Sequence, residues 1–236
     1  FMPKTLLISY EKNVAFPSYM KRSNEVLKDF TYVSLPLGSV LSWNLFSRNT
    51  DSILAVQDSL QFSVKVLNGT GSWNQTLLSN TSINYIAIND FQKDNDGIAI
   101  RLDVIEDEAP TILVDLSDSE ALSKLHFFTG TITDDYGFTT LKAIVKNNSP
   151  DAKTVDLAAT SLVIEKDVLR QQFYFGLNLD SLNFTERDNV EIFFEVTDND
   201  VVSGPKTTRS NTFSLQAITK SLLDSVSEQK EDQLAK

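Results

Sequence analysis

The segment from Phe127 to Val145 constrains the fold more than any other stretch of the chain. Phe127-Phe128-Thr129-Gly130-Thr131-Ile132-Thr133 reads as a strand, Asp134-Asp135-Tyr136-Gly137 as a tight turn, and Phe138 onward to Val145 as the returning strand. An Asp side chain accepts bonds from its own backbone two residues on, and glycine tolerates positive φ, so those four residues can carry a turn unaided. Val190 to Val196 repeats the device: a strand that runs into Thr197-Asp198-Asn199-Asp200. Phe and β-branched residues suit a half-buried pleated surface. A sheet with such strands must cover its apolar face with a second sheet, and the expected result is a β-sandwich.

Strands at 111–116, 124–133, 138–146, 154–164, 171–179, 190–197 and 207–215 make seven, at the spacing of a Greek-key sandwich of immunoglobulin type. Two alternate cleanly. Phe173, Phe175, Leu177 and Leu179 share one face, and Val190, Ile192, Phe194 and Val196 share another, so Phe194 is expected inward and Phe193 outward. Upstream, Glu106-Asp107-Glu108-Ala109-Pro110 interrupts the pattern. Pro110 holds Ala109 extended, and the boundary is placed between 107 and 108. Residues 1–107 read as another immunoglobulin-like sandwich, with strands at 4–10, 40–46, 53–56, 61–67, 72–78 and 83–88. An Asp94-Asn95-Asp96-Gly97 hairpin turn leads into the alternating Ile98, Ile100, Leu102 and Val104. Pro36 and Gly38 mark a bend before strand 40–46, whose Leu41, Trp43 and Leu45 face the core. Tyr85-Ile86-Ala87 has the spacing of a tyrosine corner, with Ala in the cysteine position. In 217–236, Ile218, Leu222, Leu223 and Val226 fall at helical spacing behind Thr219, which predicts the start of a helix or linker. The expected class is therefore all-β: two tandem immunoglobulin-like sandwiches, 1–107 and 108–216, and a short C-terminal helical segment.

Absence of cysteine among the 236 residues excludes disulfides, thiolate metal sites and cysteine nucleophiles. The net charge of −11 is uneven, about −2 over 1–107 and −8 over 108–216. Such a surface repels phosphate backbones, which argues against nucleic acid as a partner. No run reaches the length of a membrane span, and no signal peptide is evident. Phe1-Met2 reads as an arbitrary fragment start. The sequons at Asn68, Asn74, Asn80, Asn147 and Asn183 read as a product of Asn-rich loops.

Catalytic chemistry finds little support. His126, the single histidine, sits in a strand beside Phe127 and Phe128, with nothing marking Ser123 or Thr129 as a nucleophile. Adjacent Asp134 and Asp135 diverge in an extended segment and do not make a facing glycosidase pair. Lys206 and Arg209, flanking the last strand, read as solvated edge charges. Outward Phe193 and Tyr174 are candidates for an aromatic carbohydrate- or peptide-binding platform. A last possibility is a cation. In a seven-stranded sandwich the turns after strands two and six lie at one end, with the start of strand one. Asp107, Asp134, Asp135, Asp198 and Asp200, with Glu106 and Glu108, are then candidate calcium ligands at the domain junction.

Three motifs together resemble a known family. They are Phe127-Phe128-x-Gly130-x-Ile132-x-Asp134-Asp135-Tyr136-Gly137-Phe138, Phe194-Glu195-Val196-x-Asp198-Asn199-Asp200, and Gly204-Pro205-Lys206-x-x-Arg209-Ser210. In the first half, Pro17-x-Tyr19, Pro36-x-Gly38 and Asp107-x-x-Pro110-x-Ile112 are consistent. The resemblance is to the tandem immunoglobulin-like region of the domain-of-unknown-function 4175 envelope proteins of the Bacteroidota, and it covers nearly the whole chain. It implies membrane helices and a Gln-rich helical region outside this segment, with the sandwiches in the periplasm and anchored to the inner membrane. It implies no activity and no cofactor. The expected role is a non-catalytic structural or protein-interaction region with an envelope protein as partner. The alternative is a carbohydrate- or peptide-binding module stiffened by calcium.

Overall fold

Alternating apolar residues without a helical period favour sheets, and no α-helix occurs among the described residues. The structure, a computed structural model, describes residues 4–94, 97–117, 125–147, 155–182 and 189–216. The chain divides into two compact units, Phe1–Asp107 and Glu108–Lys236. The helix expected over 217–236 lies outside the described residues.

In the first unit, β1 (Leu6–Ala15), β2 (Glu25–Lys28), β4 (Val40–Arg48) and β7 (Thr70–Thr76) form one layer in the order β2-β1-β4-β7. The second layer contains β3 (Tyr32–Pro36), β5 (Ser52–Gln57), β6 (Leu60–Leu67), β8 (Thr81–Ile88) and β9 (Ile98–Ile105), ordered β6-β5-β8-β9-β3. Strand β6 pairs β5 along its length and touches β7 only at Val66 and Leu67, so it closes one side of the sandwich. After β2 the chain crosses to the other layer, and β3 joins β9 in parallel. The sequence reading missed β2 and β3. Tyr32 and Val33 lack the alternation of a covered strand because only Leu35 and Pro36 are buried.

Trp43 lies in the core, fully buried, stacked 6.0 Å from Trp73 and edge-on to Tyr85 at 5.4 Å. The tyrosine corner does not form. Tyr85 accepts the Trp73 indole N–H at 3.0 Å, a cross-sheet partner rather than upstream backbone. Asn95 and Asp96 of the turn expected at 94–97 lie outside the described residues. Upstream, Asn89 Oδ1 accepts from the N–H groups of Phe91 and Gln92, both at 2.9 Å, and makes a tight turn. Gly97 does not use positive φ. It is needed for close approach, since a Cβ would sit 2.7 Å from Asn84 Oδ1 and 2.9 Å from the Tyr85 carbonyl.

A fully buried lysine is the unexpected member of this core. Lys12 lies opposite Trp43 in the β1–β4 register, with its Nζ 4.9 Å from the Tyr10 ring centre and 5.3 Å from that of Trp43. The ammonium donates to the Phe30 carbonyl at 2.5 Å. Asp29 secures the same strap from the other side. It takes φ 52°, accepts the Tyr10 N–H at 2.9 Å through Oδ1, and donates its own N–H to the Tyr10 carbonyl. Burial lowers the Lys12 pKa to about 8, against the opposing attraction of Asp29.

The second unit packs β10 (Thr111–Leu116), β11 (Leu125–Thr133) and β14 (Arg170–Asn178), in the order β10-β11-β14, against a second sheet. That sheet runs β13-β12-β15-β16, from β12 (Phe138–Asn147), β13 (Val155–Leu162), β15 (Asn189–Asp198) and β16 (Thr207–Arg209). The seventh expected strand is broken in two: β17 (Phe213–Gln216) follows β16, and both pair with β15. The break is specified by Ser210, whose hydroxyl accepts the Phe194 N–H at 3.0 Å while its own N–H reaches the Phe194 carbonyl. Between the sheets Phe194 is fully buried, with ring centres of Phe128, Phe173 and Phe175 at 5.5, 5.3 and 5.7 Å. Gly130 makes room for this cluster, because a Cβ there would lie 2.4 Å from the Phe173 ring.

Candidate functional site

The two acidic turns meet at one end of the second sandwich. Asn199 Nδ2 donates to the Tyr136 carbonyl at 2.8 Å and ties the turn after β11 to the turn after β15. Each Asp serves its own loop first. Asp134 Oδ2 accepts from the N–H groups of Tyr136 (3.0 Å) and Gly137 (2.8 Å), and Gly137 takes φ 114°. Asp198 Oδ1 accepts from Asp200 N (3.2 Å) and Lys206 N (2.9 Å). Asp200 Oδ1 accepts from Val202 N (2.7 Å) and Ser203 N (3.1 Å).

Lys206 supplies the counter-charge. Its Nζ sits 2.8 Å from Asp200 Oδ2 and 3.6 Å from Asp198 Oδ2, both carboxylates being almost fully buried. The expectation of a solvated edge lysine is therefore corrected. The signal was available: a cation follows Asp198-x-Asp200 after a Gly204-Pro205 reversal, and Gly204 takes φ 100°. Although burial works against its charge, Asp200 is held below the usual carboxylate range by Lys206 and the N–H groups of Val202 and Ser203. Asp134 shifts the other way. Burial raises it, against its two N–H partners, with Asp135 and Asp198 adding repulsion. Asp135 is raised by burial and by Glu108.

Of the candidate calcium ligands, Asp134, Asp135, Asp198 and Asp200 thus gather at one end of the second unit, while Asp107 closes the first unit. Among the described residues, no group of three or more acidic or His side chains has the geometry to hold a metal ion. An ammonium already stands between two of the carboxylates.

His126 is buried in β11 opposite Leu177, and burial lowers its pKa, as for an imidazole in a core. Phe193 points outward but is not a platform. It is only 3% exposed, covered by the Arg209 guanidinium at 4.0 Å and approached by Lys146 at 5.5 Å. Arg209 in turn holds Glu195 at 2.8 Å, so it too is a paired residue rather than a free edge charge. Tyr174, on the opposite sheet, is open at 73% exposure.

Neither a family profile nor a curated protein matches the sequence. Among solved structures, a marsupial T cell receptor aligns at 13% identity over 80% of this chain and 96% of its own, with TM-score 0.26. Titin domains A168–A170 align at 14% over 90% and 68%, with TM-score 0.29. Fibronectin(III)-like modules of Clostridium thermocellum CbhA align at 12% over 77% and 90%, with TM-score 0.27. At such scores the likeness carries no argument, and the sandwich architecture rests on the strand pairing described above. Among the described residues, no helix is long and apolar enough to cross a membrane.

Proposed function

We propose that the chain is a tandem pair of immunoglobulin-like sandwiches acting as a non-catalytic scaffolding and protein-interaction region of a bacterial envelope protein. The observation that carries this reading is the use of the acidic groups. The conspicuous carboxylates serve their own turns and Lys206, which is how loops are held in shape rather than how substrate is engaged. A nucleophile, base and orienting acid in mutual reach would be needed for acyl transfer, and His126 lies in the core instead. The motif resemblance supports a periplasmic position, with an inner-membrane anchor in segments outside this chain. Spheroplast proteolysis of the native protein, with membrane fractionation, tests the placement. Cleavage of these sandwiches in intact spheroplasts and sedimentation with the inner membrane are expected. Protection from protease until lysis overturns the reading. A binding module is the second reading, favoured by one specific feature, the open sheet face around Tyr174.

A further inference from the structure

The outward face of the three-stranded sheet in the second unit is shaped as a trough. Register places Leu113 opposite Thr131 and Asp115 opposite Thr129 across β10 and β11. Across β11 and β14 it places Thr131 opposite Gln172 and Thr129 opposite Tyr174. The two resulting rows, Leu113-Thr131-Gln172 and Asp115-Thr129-Tyr174, each have a short half-buried threonine in the middle and a longer side chain at either end. The walls stand well clear of the sheet, Leu113 being 75% and Tyr174 73% exposed. Together these residues line a concavity of about 330 Å³, at the lower end of ordinary small-ligand sites.

The hydrogen-bonding capacity of this trough is unused. Asp115, Thr129, Thr131, Gln172 and Tyr174 make no side-chain hydrogen bond to other described residues. Cross-strand pairs of outward polar groups do occur elsewhere, as Thr197 with Thr207 at 2.9 Å, Arg209 with Glu195 at 2.8 Å, and Ser72 with Asn44 at 2.9 Å. Here a carboxylate, an amide and two hydroxyls converge beside an open aromatic ring.

We propose that this trough is a binding site for a neutral saccharide. One pyranose ring lies with its apolar C–H face against Tyr174, and its hydroxyls bond Asp115, Gln172 and the two threonines. An extended peptide suits the site less well. Adding a strand needs a free sheet edge, whereas the floor of the trough is β11, whose backbone is already paired on both sides. Anionic sugars are disfavoured because Asp115 is the one charged group among the described residues lining the trough, in a region with a net charge of about −8. The site is independent of the acidic turns and of the scaffolding role, which stands whether or not sugar binds.

Nitrogen–proton correlation spectra of the whole chain test the proposal. The probes are millimolar malto-, cello-, xylo- and chito-trisaccharides, with trigalacturonic acid as the anionic comparison. The expected result is saturable shifts at Leu113, Asp115, Thr129, Thr131 and Tyr174 and at the Gln172 side-chain amide for at least one neutral sugar. Tyr174→Ala and Asp115→Ala, at exposed positions, should keep the native spectrum and weaken that binding by about tenfold each. No shift with any neutral sugar, shifts clustered elsewhere, preference for trigalacturonic acid, or affinity unchanged in Tyr174→Ala each overturn the assignment.

Discussion

Replacing Lys12 with methionine tests the physics of the first core most directly. The ammonium is fully buried, with one carbonyl and two aromatic faces for company, and its pKa falls from 10.5 to about 8. A drop of that size corresponds to about 3 kcal/mol by which folding disfavours the charged form, at ~1.4 kcal/mol per unit. The sign follows from linkage. Below pH 8 the lysine is charged in both states and the full penalty applies. Between pH 8 and 10.5 the unfolded chain binds a proton that the folded chain has released, so stability rises with pH. Between pH 7 and 9.5 the gain is about 2 kcal/mol.

Met keeps the length and apolar contacts of the lysine stem and removes the charge, at the cost of leaving the Phe30 carbonyl without its donor, about 1–3 kcal/mol. At pH 7 the loss of that bond and the relief of desolvation nearly cancel, so Lys12→Met should lie within about 2 kcal/mol of the parent. The discriminating quantity is the difference in slope. Urea unfolding of the whole chain is followed by tryptophan fluorescence. Both tryptophans, Trp43 and Trp73, lie in the first unit, so the signal reports that sandwich alone. Tyr10 and Tyr85, raised by burial, oppose the trend only above pH 10, and they cancel in the comparison with the variant. The parent should gain about 2 kcal/mol on going from pH 7 to 9.5 relative to Lys12→Met. Parallel pH profiles would mean that the ammonium reaches water, and would refute the reasoning.

Phe194→Ala should cost about 3–5 kcal/mol in differential scanning calorimetry of the second unit, as for other buried aromatics. Phe193→Ala should also cost more than about 1 kcal/mol, because the ring is covered by Arg209 and Lys146; no loss would mean that the cover is absent. Asp134→Ala should lose about 1–3 kcal/mol with the bonds from Tyr136 and Gly137, whereas Asp134→Asn keeps an acceptor and should be neutral or stabilising at pH 7. Because burial raises the folded pKa of Asp134, it destabilises as pH rises above 3.8, and Asp134→Asn should remove that part of the pH profile; equal losses in both variants refute the argument. Millimolar calcium should leave the melting temperature of the parent unchanged, since the Lys206 ammonium already stands between Asp198 and Asp200; a calcium-dependent rise that Asp200→Asn abolishes would support the metal reading.

What could be read from the sequence follows the range of each interaction. Strands of the second unit are set by alternation, a local property, so 111–116 was placed to the residue and β11, β12 and β14 within one or two. Turn chemistry is local as well, and Asp134 with Gly137 was legible from four consecutive residues. Errors arose where a partner came from another strand. Nothing around Phe193 announces that Arg209, sixteen positions on, will cover it, and nothing around Tyr85 announces that its hydroxyl will accept from Trp73 instead of closing a corner. Gly97 was read as a turn glycine, yet its constraint is the Asn84 side chain across the hairpin.

The same principle separates the acidic end, where calcium was one candidate, from the trough, of which Tyr174 alone was singled out. Counting carboxylates from sequence overstates the charge available to a cation, because the backbone N–H groups that occupy them and the Lys206 ammonium are visible only once the loop is closed. The trough has the opposite character. Asp115, Thr129, Gln172 and Tyr174 are each ordinary outward residues on three separate strands, and their alignment depends on register, which one residue of slippage would reverse. Glycine gives the register a check. Gly130 admits Phe173 beneath the sheet, and Gly176 lies directly opposite Phe127. Replacing Gly130 with alanine would press a methyl into the Phe173 ring and tilt β11 or β14. A binding face built on those strands therefore depends on a residue of the core that ligand never touches.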